Sequence, residues 1–554
     1  MDERYTSGGL DLTEKAQLAL LTPVEARLPQ GEGEARLLLK RTPTSYLLNQ
    51  IYGLWVYISL FFLTVVVTHK LSVGQYGVYA IAMAAFNTIA YIVAFGLEDA
   101  TTTFLPRVFS EHGRASAASL IRRLLVLRVG TLMVSMIIML FTLPLLADVI
   151  AALPISGSTD VAATLRNPDL LANIVPIAIY VFGNGIGSLI TAICASLMRM
   201  RLVVIVGSVT QLVILVLSYV VLQFGFGTTG VLWLFAIVTL FNALAYAIWL
   251  LPLVFVRDPI YIQPLKPVIH LGISAWMTNL VSGALLKQAS IILLGYFAIS
   301  IVQIGYFNLS FQLAHAASLL LVTGFGGVSG AALAAAFVGN NYDRLARSWQ
   351  ALIKIETLLA APGLVFCLFN AQTVAHALYG ASYDPVGPLF AIFLFFNVLV
   401  RILGSTMHPY ALYVMGKPRI VVFSQWIGLA VVIVGGILLI PHWGPAGALV
   451  ADGVSQIVTS SILLVILWRT LPRKFPVGFT LRFLLGLTLA ALPGIFWHPG
   501  SRVLLGLSGV IFLVLCAGLL LVIKPLEKED VETVSALNKL GKRVAPVMMW
   551  FARG

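Results

Sequence analysis

Long apolar segments follow one another along almost the whole chain, separated by short polar turns. A helix needs about 20 apolar residues to cross the hydrocarbon core of a bilayer, and fourteen segments meet that requirement. They lie at residues 46–68, 76–97, 120–146, 170–196, 203–224, 229–255, 270–298, 303–337, 349–372, 386–415, 420–440, 446–468, 479–498 and 501–523. The pattern predicts an all-α polytopic membrane protein with about fourteen transmembrane helices. An even number of spans places both ends on the same side of the membrane.

Three local motifs recur in the same order in the two halves of this pattern. The matching pairs are 71–79 with 299–307, 199–204 with 417–422, and 227–230 with 444–447. Their order predicts a duplicated six-span unit, with two parallel lobes around a central cavity. We therefore predict an N-terminal tail (1–44), a first lobe (45–255), a second lobe (256–470), two extra helices (471–523) and a C-terminal tail (524–554).

The composition fits a chain that lies mostly within a membrane. Hydrophobic residues make up 59% of the 554 positions, and Asp, Glu, Lys and Arg only 10%, whereas soluble domains carry about 25% charged residues. So few charges cannot cover a soluble globule, which excludes soluble and nucleic-acid-binding proteins. The three cysteines lie inside apolar segments, which predicts neither a disulfide framework nor a metal site. Because no nucleotide-binding or catalytic motif occurs, we expect no cofactor and no enzymatic activity.

The basic residues are unequally distributed between alternate loops. If the N-terminus is cytoplasmic, 30 of the 35 Lys and Arg residues fall on the cytoplasmic side, 3 on the opposite side and 2 within spans. Lys and Arg concentrate in cytoplasmic loops of membrane proteins. The distribution predicts an inner face that carries both termini, and it explains most of the net charge of +13. In the C-terminal tail, residues 527–541 are expected to form an amphipathic helix on the inner leaflet, with a loosely ordered tail as the equal alternative.

Two basic residues, Lys287 and Arg401, lie near the middle of predicted spans. A charged group at that depth costs roughly 2.5–3.5 kcal/mol on the insertion scale, so each requires a partner or a function. Facing a cavity, they would bind an anionic head group, above all a phosphate or pyrophosphate. The alternative is internal pairing with Glu356 or Asp452. These two acids are also candidates to carry a coupling proton or sodium ion, with structural polar contacts as their alternative role.

Several of these segments resemble the bacterial polysaccharide (oligosaccharide) flippases of the multidrug/oligosaccharidyl-lipid/polysaccharide exporter superfamily. The resemblance covers most of residues 45–523. It rests on residues 71–80, 96–97, 104–106, 286–288, 293–297, 305–307, 416–419 and 444–448. Two departures occur: Ser290 stands where the family often has an acid after the Lys-Gln of span 7, and Leu333-Ala334 lacks the proline of Leu105-Pro106.

The resemblance implies a V-shaped pair of lobes that flips a polyprenyl-pyrophosphate-linked glycan from the inner to the outer leaflet by alternating access. It implies a bacterial plasma membrane location, membrane lipids and glycan-assembly proteins as partners, and a role in cell-envelope polysaccharide (lipopolysaccharide or exopolysaccharide) biosynthesis. The alternatives are an ion-coupled drug or small-solute antiporter of the same superfamily, and a membrane-embedded glycan polymerase or ligase. Cationic mid-span residues disfavour the first of these. The short outer loops, of which residues 147–169 are the longest, disfavour the second.

Overall fold

The computed structural model describes residues 32–152, 173–197, 199–254, 261–297, 299–320, 340–496, 501–537 and 539–553, with isolated positions between 329 and 337 and at 499. Within these ranges, the side chains that lie outside the description are those of residues 32–47, 49–50, 110, 138–152, 252–254, 274, 278, 282–284, 287, 319–320, 495–496, 533–534, 536–537 and 539–544. Helices dominate the described part of the chain, and the all-α polytopic prediction is confirmed.

Six helices of the first lobe lie among the described residues. They are α1 (Glu32–Lys70), α2 (Val73–Ala94), α3 (Leu97–Ala152), α4 (Ile174–Ser196), α5 (Met200–Gln223) and α6 (Gly227–Val254). Helix α1 already begins at Glu32, so the last part of the predicted N-terminal tail is helical. Gly113, at φ 76°, interrupts α3 and separates a short arm, residues 97–112, from the long helix that follows. Within the lobe, α3 packs on α4, α4 on α6, and α1 on α5.

The second lobe repeats this plan with more breaks. Its elements are α7 (Leu265–Asn279), a π-helical turn (Leu280–Leu285), α8 (Leu286–Tyr296), α9 (Ile301–Leu320), α10 (Tyr342–Phe369), α11 (Ala371–Tyr379), a 3-10 turn (Ala381–Tyr383), α12 (Val386–Ile402), α13 (Met407–Val414), α14 (Pro418–Trp443) and α15 (Pro445–Thr470). The segment predicted as one span at 386–415 is two helices. Residues 403–406 form the turn between them, where Gly404 has φ 72°.

Eleven helices among the described residues are long and apolar enough to cross a membrane. They include the two extra helices, α16 (Val477–Phe496) and α17 (Arg502–Ile523). Helical structure also occupies the predicted spans at 120–146 and 270–298 and the first part of 303–337. The count of fourteen is therefore consistent with the structure. Large apolar side chains remain exposed along these helices, as expected for surfaces that face lipid tails.

The C-terminal tail is folded against the second lobe. It contains β1 (Leu526–Glu527), α18 (Lys528–Leu537), α19 (Lys539–Trp550) and β2 (Ala552–Arg553), and the two short strands pair in parallel. Asp530 of α18 accepts hydrogen bonds from Lys354 of α10 at 2.7 and 2.8 Å, and both side chains are buried. Glu529 accepts two hydrogen bonds from Arg473, at 2.8 and 2.9 Å. Helix α18 thus docks on α10 through ion pairs, while contact of the tail with the inner leaflet stays a prediction.

Candidate functional site

A cavity of about 360 Å³ lies between α2, α3 and α4 of the first lobe and α7 of the second. It is close to the end of α2, which belongs to the predicted inner half of the protein. Aromatic rings, amide side chains and carboxylates line it. The residues are Phe86, Asn87, Ala90, Tyr91, Val93, Ala94, Gly96, Glu98, Asp99, Arg128, Leu132, Val181, Asn184, Gly185, Ser188, Trp276 and Asn279.

Arg128 is the buried cation of this cavity, with a side chain only 3% exposed. Its guanidinium donates to the carboxylate of Glu98 at 2.6 Å and to the hydroxyl of Ser188 at 3.3 Å. Three further hydrogen bonds go to the backbone carbonyls of Val93, Ala94 and Gly185, at 2.9 to 3.0 Å. These five bonds use all five N–H donors of an arginine. Arg128 therefore has no donor left for an anion in the cavity.

The groups that remain available in the cavity are polar or aromatic. Asn87 and Asn184 have no hydrogen-bond partner among the described residues. Asp99 accepts a hydrogen bond from Asn279 and has no cationic partner in the described part of the chain. Burial and the neighbouring Glu98 raise the pKa of the Asp99 carboxyl above its ordinary value. The cavity thus offers amides and one acid to a ligand rather than a positive charge.

Contacts between the lobes lie on the predicted inner side of the cavity. The indole of Trp276 in α7 donates to the carbonyl of Tyr91 in α2 at 2.9 Å. The Asn279 amide donates to Asp99 at 2.7 Å. At the end of α2, Gly96 lies so close to α7 that a Cβ there would be 1.9 Å from the carbonyl oxygen of Gly272. We call these three contacts the inner gate.

A second set of contacts joins the lobes at the predicted outer face. The backbones of α2 and α9 cross at Gly77 and Gly305, and a Cβ on Gly305 would lie 3.1 Å from the Cα of Gly77. The hydroxyl of Tyr383 donates to the carbonyl of Leu71 at 3.4 Å, and its ring meets that of Tyr76 edge-on. The two lobes are therefore in contact on both sides of the cavity.

The sequence-predicted residues of the second lobe do not line this cavity. Arg401, at the end of α12, donates to Glu356 of α10, and the hydroxyl of Thr406 donates to the second oxygen of the same carboxylate. For Arg401 and Glu356 the structure thus shows the internal pairing that was the alternative to a free cationic site. Asp452 of α15 is buried and accepts one hydrogen bond, from Gln456, at 2.8 Å. Lys287 lies in the first turn of α8, and its side chain is outside the described residues.

Sequence reasoning missed Arg128 and Lys354 because it counted both as cations of the inner face. Each lies inside an apolar segment, Arg128 eight positions into 120–146 and Lys354 five positions into 349–372. Both are buried and paired with a carboxylate. Their positions within predicted spans could have identified them. The count of Lys and Arg in alternate loops instead treated both as loop residues.

Loss of the polar contact in the inner gate should make the cavity more accessible from the predicted inner face. With Asn279→Ala, Asp99 loses its donor, a hydrogen bond to a charged group worth about 1.5–3 kcal/mol. We expect roughly tenfold faster modification of a cysteine placed at Asn87, a half-buried residue of the cavity lining, measured with a membrane-impermeant thiol reagent on the purified protein. Asn173 is buried, so its replacement would disturb packing. The control is therefore Asn340→Ala, because Asn340 is exposed and is not among the residues that line the cavity. Equal labelling rates in the two variants would contradict the assignment.

Residues 123–388 match the sequence profile of a family described as "Polysaccharide biosynthesis protein". No curated protein matches the sequence. Among solved structures, the chain is similar to the lipid II flippase MurJ in an inward closed conformation, with a TM-score of 0.65 and 13% identity over 85% of this chain and 97% of that one.

Two transporters of the MOP superfamily have related folds. One is a multidrug resistance MATE family transporter in its inward-facing conformation, with a TM-score of 0.58 and 15% identity over 77% of this chain and 94% of that one. The other is a transporter from Pyrococcus furiosus, with a TM-score of 0.55 and 14% identity over 80% and 98%. At these identities the likeness shows the fold. Together with the family match, it confirms the predicted resemblance to polysaccharide flippases.

Proposed function

We propose that this multi-pass membrane protein, which has the fold of the MOP-superfamily transporters, is a lipid-linked oligosaccharide flippase. In this proposal it moves a polyprenyl-pyrophosphate-linked glycan from the inner to the outer leaflet by alternating access, without catalysing a reaction. The observation that supports it most is the cavity between the lobes, which has amide and carboxyl side chains in its lining and contacts between the lobes on both sides of it. Such a cavity holds a head group during passage while separate gates open in turn.

The lining of the cavity suits the sugar part of the substrate. Amides such as Asn87 and Asn184 both donate and accept hydrogen bonds, as sugar hydroxyls require. The rings of Tyr91 and Trp276 offer flat apolar surfaces beside them. Because Arg128 is saturated by protein acceptors, the phosphates would be bound elsewhere. Of the two cations predicted for that role we retain Lys287, since Arg401 is paired with Glu356.

One observation favours the second candidate, an ion-coupled antiporter of drugs or small solutes. The acid Asp99 has no cationic partner among the described residues, and a carboxylate in a cavity attracts cations. The two proposals differ in the expected effect of Asp99→Asn. Export of a cationic drug would be abolished by that change, whereas glycan flipping would tolerate it within about threefold, since an amide keeps the hydrogen-bonding capacity of the site.

The remaining parts of the proposal concern coupling and location. We place the protein in the inner (plasma) membrane of a bacterium, with both termini cytoplasmic, where it works beside glycan-assembly proteins. Asp452 is our candidate for a coupling proton or sodium ion, because it is buried with a single amide partner. Glu356 is a weaker candidate, since Arg401 already neutralises it.

A reconstituted assay tests the proposal. Purified protein in liposomes is supplied with fluorescent undecaprenyl-pyrophosphate-linked oligosaccharide, and the fraction reaching the other leaflet is measured with and without a proton or sodium gradient. We expect protein-dependent flipping, reduced about tenfold or more in Asn87→Leu/Asn184→Leu, since each buried sugar hydroxyl left without a partner costs about 1–3 kcal/mol. Export of a cationic drug by the same liposomes, with no glycan flipping, would refute the flippase and support the antiporter.

A further inference from the structure

An arginine, a glutamate and a hydroxyl residue form one connected group in each lobe, with the arginine side chain 3% exposed in the first lobe and 11% in the second. The first triad is Arg128, Glu98 and Ser188, and the second triad is Arg401, Glu356 and Thr406. In both, the arginine and the hydroxyl donate to the same carboxylate. The carboxylate is 24% exposed in the first triad and 3% in the second. Neither triad is a surface ion pair.

The third helices of the two lobes contribute equivalent residues to these triads. In the motifs that identified the repeat, Ser72 and Ser300 are 228 positions apart. Arg128 of α3 and Glu356 of α10 are separated by the same 228 positions. Arg128 and Glu356 are therefore repeat partners, although one is a cation and the other an anion.

The hydroxyl groups are repeat partners as well. Around the fourth helix of each lobe the offset of the repeat is 218, as shown by Arg201 and Arg419 in the matched turns. Ser188 of α4 and Thr406, at the start of α13, are also 218 positions apart. Ser188 donates to the Glu98 carboxylate at 2.6 Å, and Thr406 donates to that of Glu356. The same two helix positions thus build the polar group of each lobe.

The counter-charge comes from a different helix in each lobe. In the first lobe, Glu98 reaches Arg128 from the short arm that follows α2. In the second, Arg401 reaches Glu356 from the last turn of α12. The repeat therefore retained an ion pair at this place while reversing its sign. A site that binds a charged ligand depends on the sign of its charge, whereas a connection between helices requires only that the two charges be opposite.

Each triad connects the parts of its lobe that are least regular. Arg128 binds the carbonyls of Val93 and Ala94 at the end of α2 and that of Gly185 in α4. The second triad spans the break at Gly404 and ties both α12 and α13 to α10. Ionic hydrogen bonds are strong where water is excluded. The triads thus hold three helical segments together in each lobe.

From these observations we propose that the two triads hold the helices of each lobe together, so that each lobe moves as one rigid body. Arg401 and Glu356 are then positioning residues and do not contact the phosphates of the substrate. The idea rests on the alternating-access part of the proposed function, since rigid lobes allow one gate to open as the other closes. The integrity of a lobe can nevertheless be measured without any substrate.

The test uses the second triad in the full-length protein. The variants are Glu356→Gln, Arg401→Gln and the charge exchange Glu356→Arg/Arg401→Glu, with Arg419→Gln as a control that removes an exposed arginine. Amide hydrogen exchange of α10, α12 and α13 is measured in detergent. The rate of glycan flipping and its KM are measured in liposomes.

Breaking a buried ion pair is strongly destabilising, so each single variant should exchange at least about tenfold faster in α10, α12 and α13. Turnover should fall by a similar factor with KM unchanged. The charge exchange should bring both quantities back to within about threefold of the unmodified protein, as in a double-mutant cycle for a direct pair.

A raised KM with unchanged amide hydrogen exchange would overturn the proposal and make Arg401 a substrate contact. The proposal would also be overturned if the charge-exchange variant showed the same amide exchange rate and turnover as the single variants. Absence of glycan flipping in the unmodified protein would refute the proposed function alone, because the exchange data still decide the role of the triad.

Discussion

Replacing Gly96 with alanine is expected to hold the inner gate open. Gly96 has φ 62°, a conformation that costs a residue with a side chain roughly 1–2 kcal/mol. The added Cβ would also lie 1.9 Å from the carbonyl oxygen of Gly272. Backbone atoms cannot yield as a flexible side chain does, so α2 and α7 must separate. That separation breaks the hydrogen bonds from Trp276 and Asn279, and the cavity opens toward the predicted inner face.

The measurement is the labelling rate of a single cysteine at the half-buried position Asn87 of the cavity lining, in a protein whose three native cysteines are replaced by serine. We expect at least a hundredfold faster labelling from the predicted inner side in Gly96→Ala. Gly113→Ala is the matched control, because Gly113 has a similar φ of 76° but no neighbour within 4 Å. It introduces the backbone strain without the collision. Equal labelling of the two variants would mean that strain alone acts, and that the contact between α2 and α7 is not a gate.

Neutralising Asp530 with alanine is expected to release the C-terminal tail from the second lobe. Lys354 and Asp530 are 5% and 8% exposed, so neither charge is solvated once its partner is lost. Removing one partner of a buried ion pair costs about 3–5 kcal/mol. We expect amide exchange in α18 to accelerate by a factor of about 10² to 10³, and protease sites between residues 524 and 537 to become accessible.

Two comparisons identify the ion pair as the cause. Glu532→Gln changes an exposed carboxylate of the same helix and should leave exchange in α18 unaltered. Lys354→Met/Asp530→Leu replaces the pair by apolar side chains and should restore most of the docking, because no unpaired charge stays buried. If the double variant exchanges as fast as Asp530→Ala, lost packing rather than charge explains the release.

The pH dependence of docking has a defined sign. A hydrogen bond from Arg473 lowers the pKa of the Glu529 carboxyl below its ordinary value of 4.5. The contribution of Glu529 to the stability of tail docking is therefore complete at pH values above 4.5. It is lost as the pH falls through the lowered pKa. The effect is modest since the carboxylate is 45% exposed. Docking should thus weaken in acid, below about pH 4.5, and Glu529→Gln should remove that dependence.

The hydrophobic pattern predicted most of the architecture because a membrane span can be recognised from its length and composition alone. Most of the long described helices lie on predicted segments, and the repeat found at Ser72 and Ser300 extends to Arg128 and Glu356. The break at Gly404 escaped prediction, since the segment at 386–415 is mostly apolar and is long enough to be read as one span. Nothing in its hydrophobicity distinguishes a continuous helix from two helices joined by a polar contact to Glu356.

The candidate site was harder to predict because it depends on which charges meet. A mid-span cation can face a cavity or a carboxylate, and the sequence left both open for Arg401; the structure shows the carboxylate. The cavity itself is lined by Asn87, Asn184 and Trp276, residue types that carry no distinctive spacing. Their convergence requires four helices from two lobes, which no local motif encodes.

The pair between Lys354 and Asp530 also constrains how the protein is made. Its two residues are 176 positions apart, and ribosomes add about 5–20 residues per second. Span 9 is thus synthesised roughly 10–35 s before its counter-ion exists, and an unpaired lysine disfavours insertion by about 2.5–3.5 kcal/mol at the centre of a helix. During that interval, α10 with its unpaired Lys354 must be stabilised in the bilayer by neighbouring helices, or it must enter the bilayer later. The tail therefore supplies the counter-ion of Lys354 only after α10 and every later span have been made.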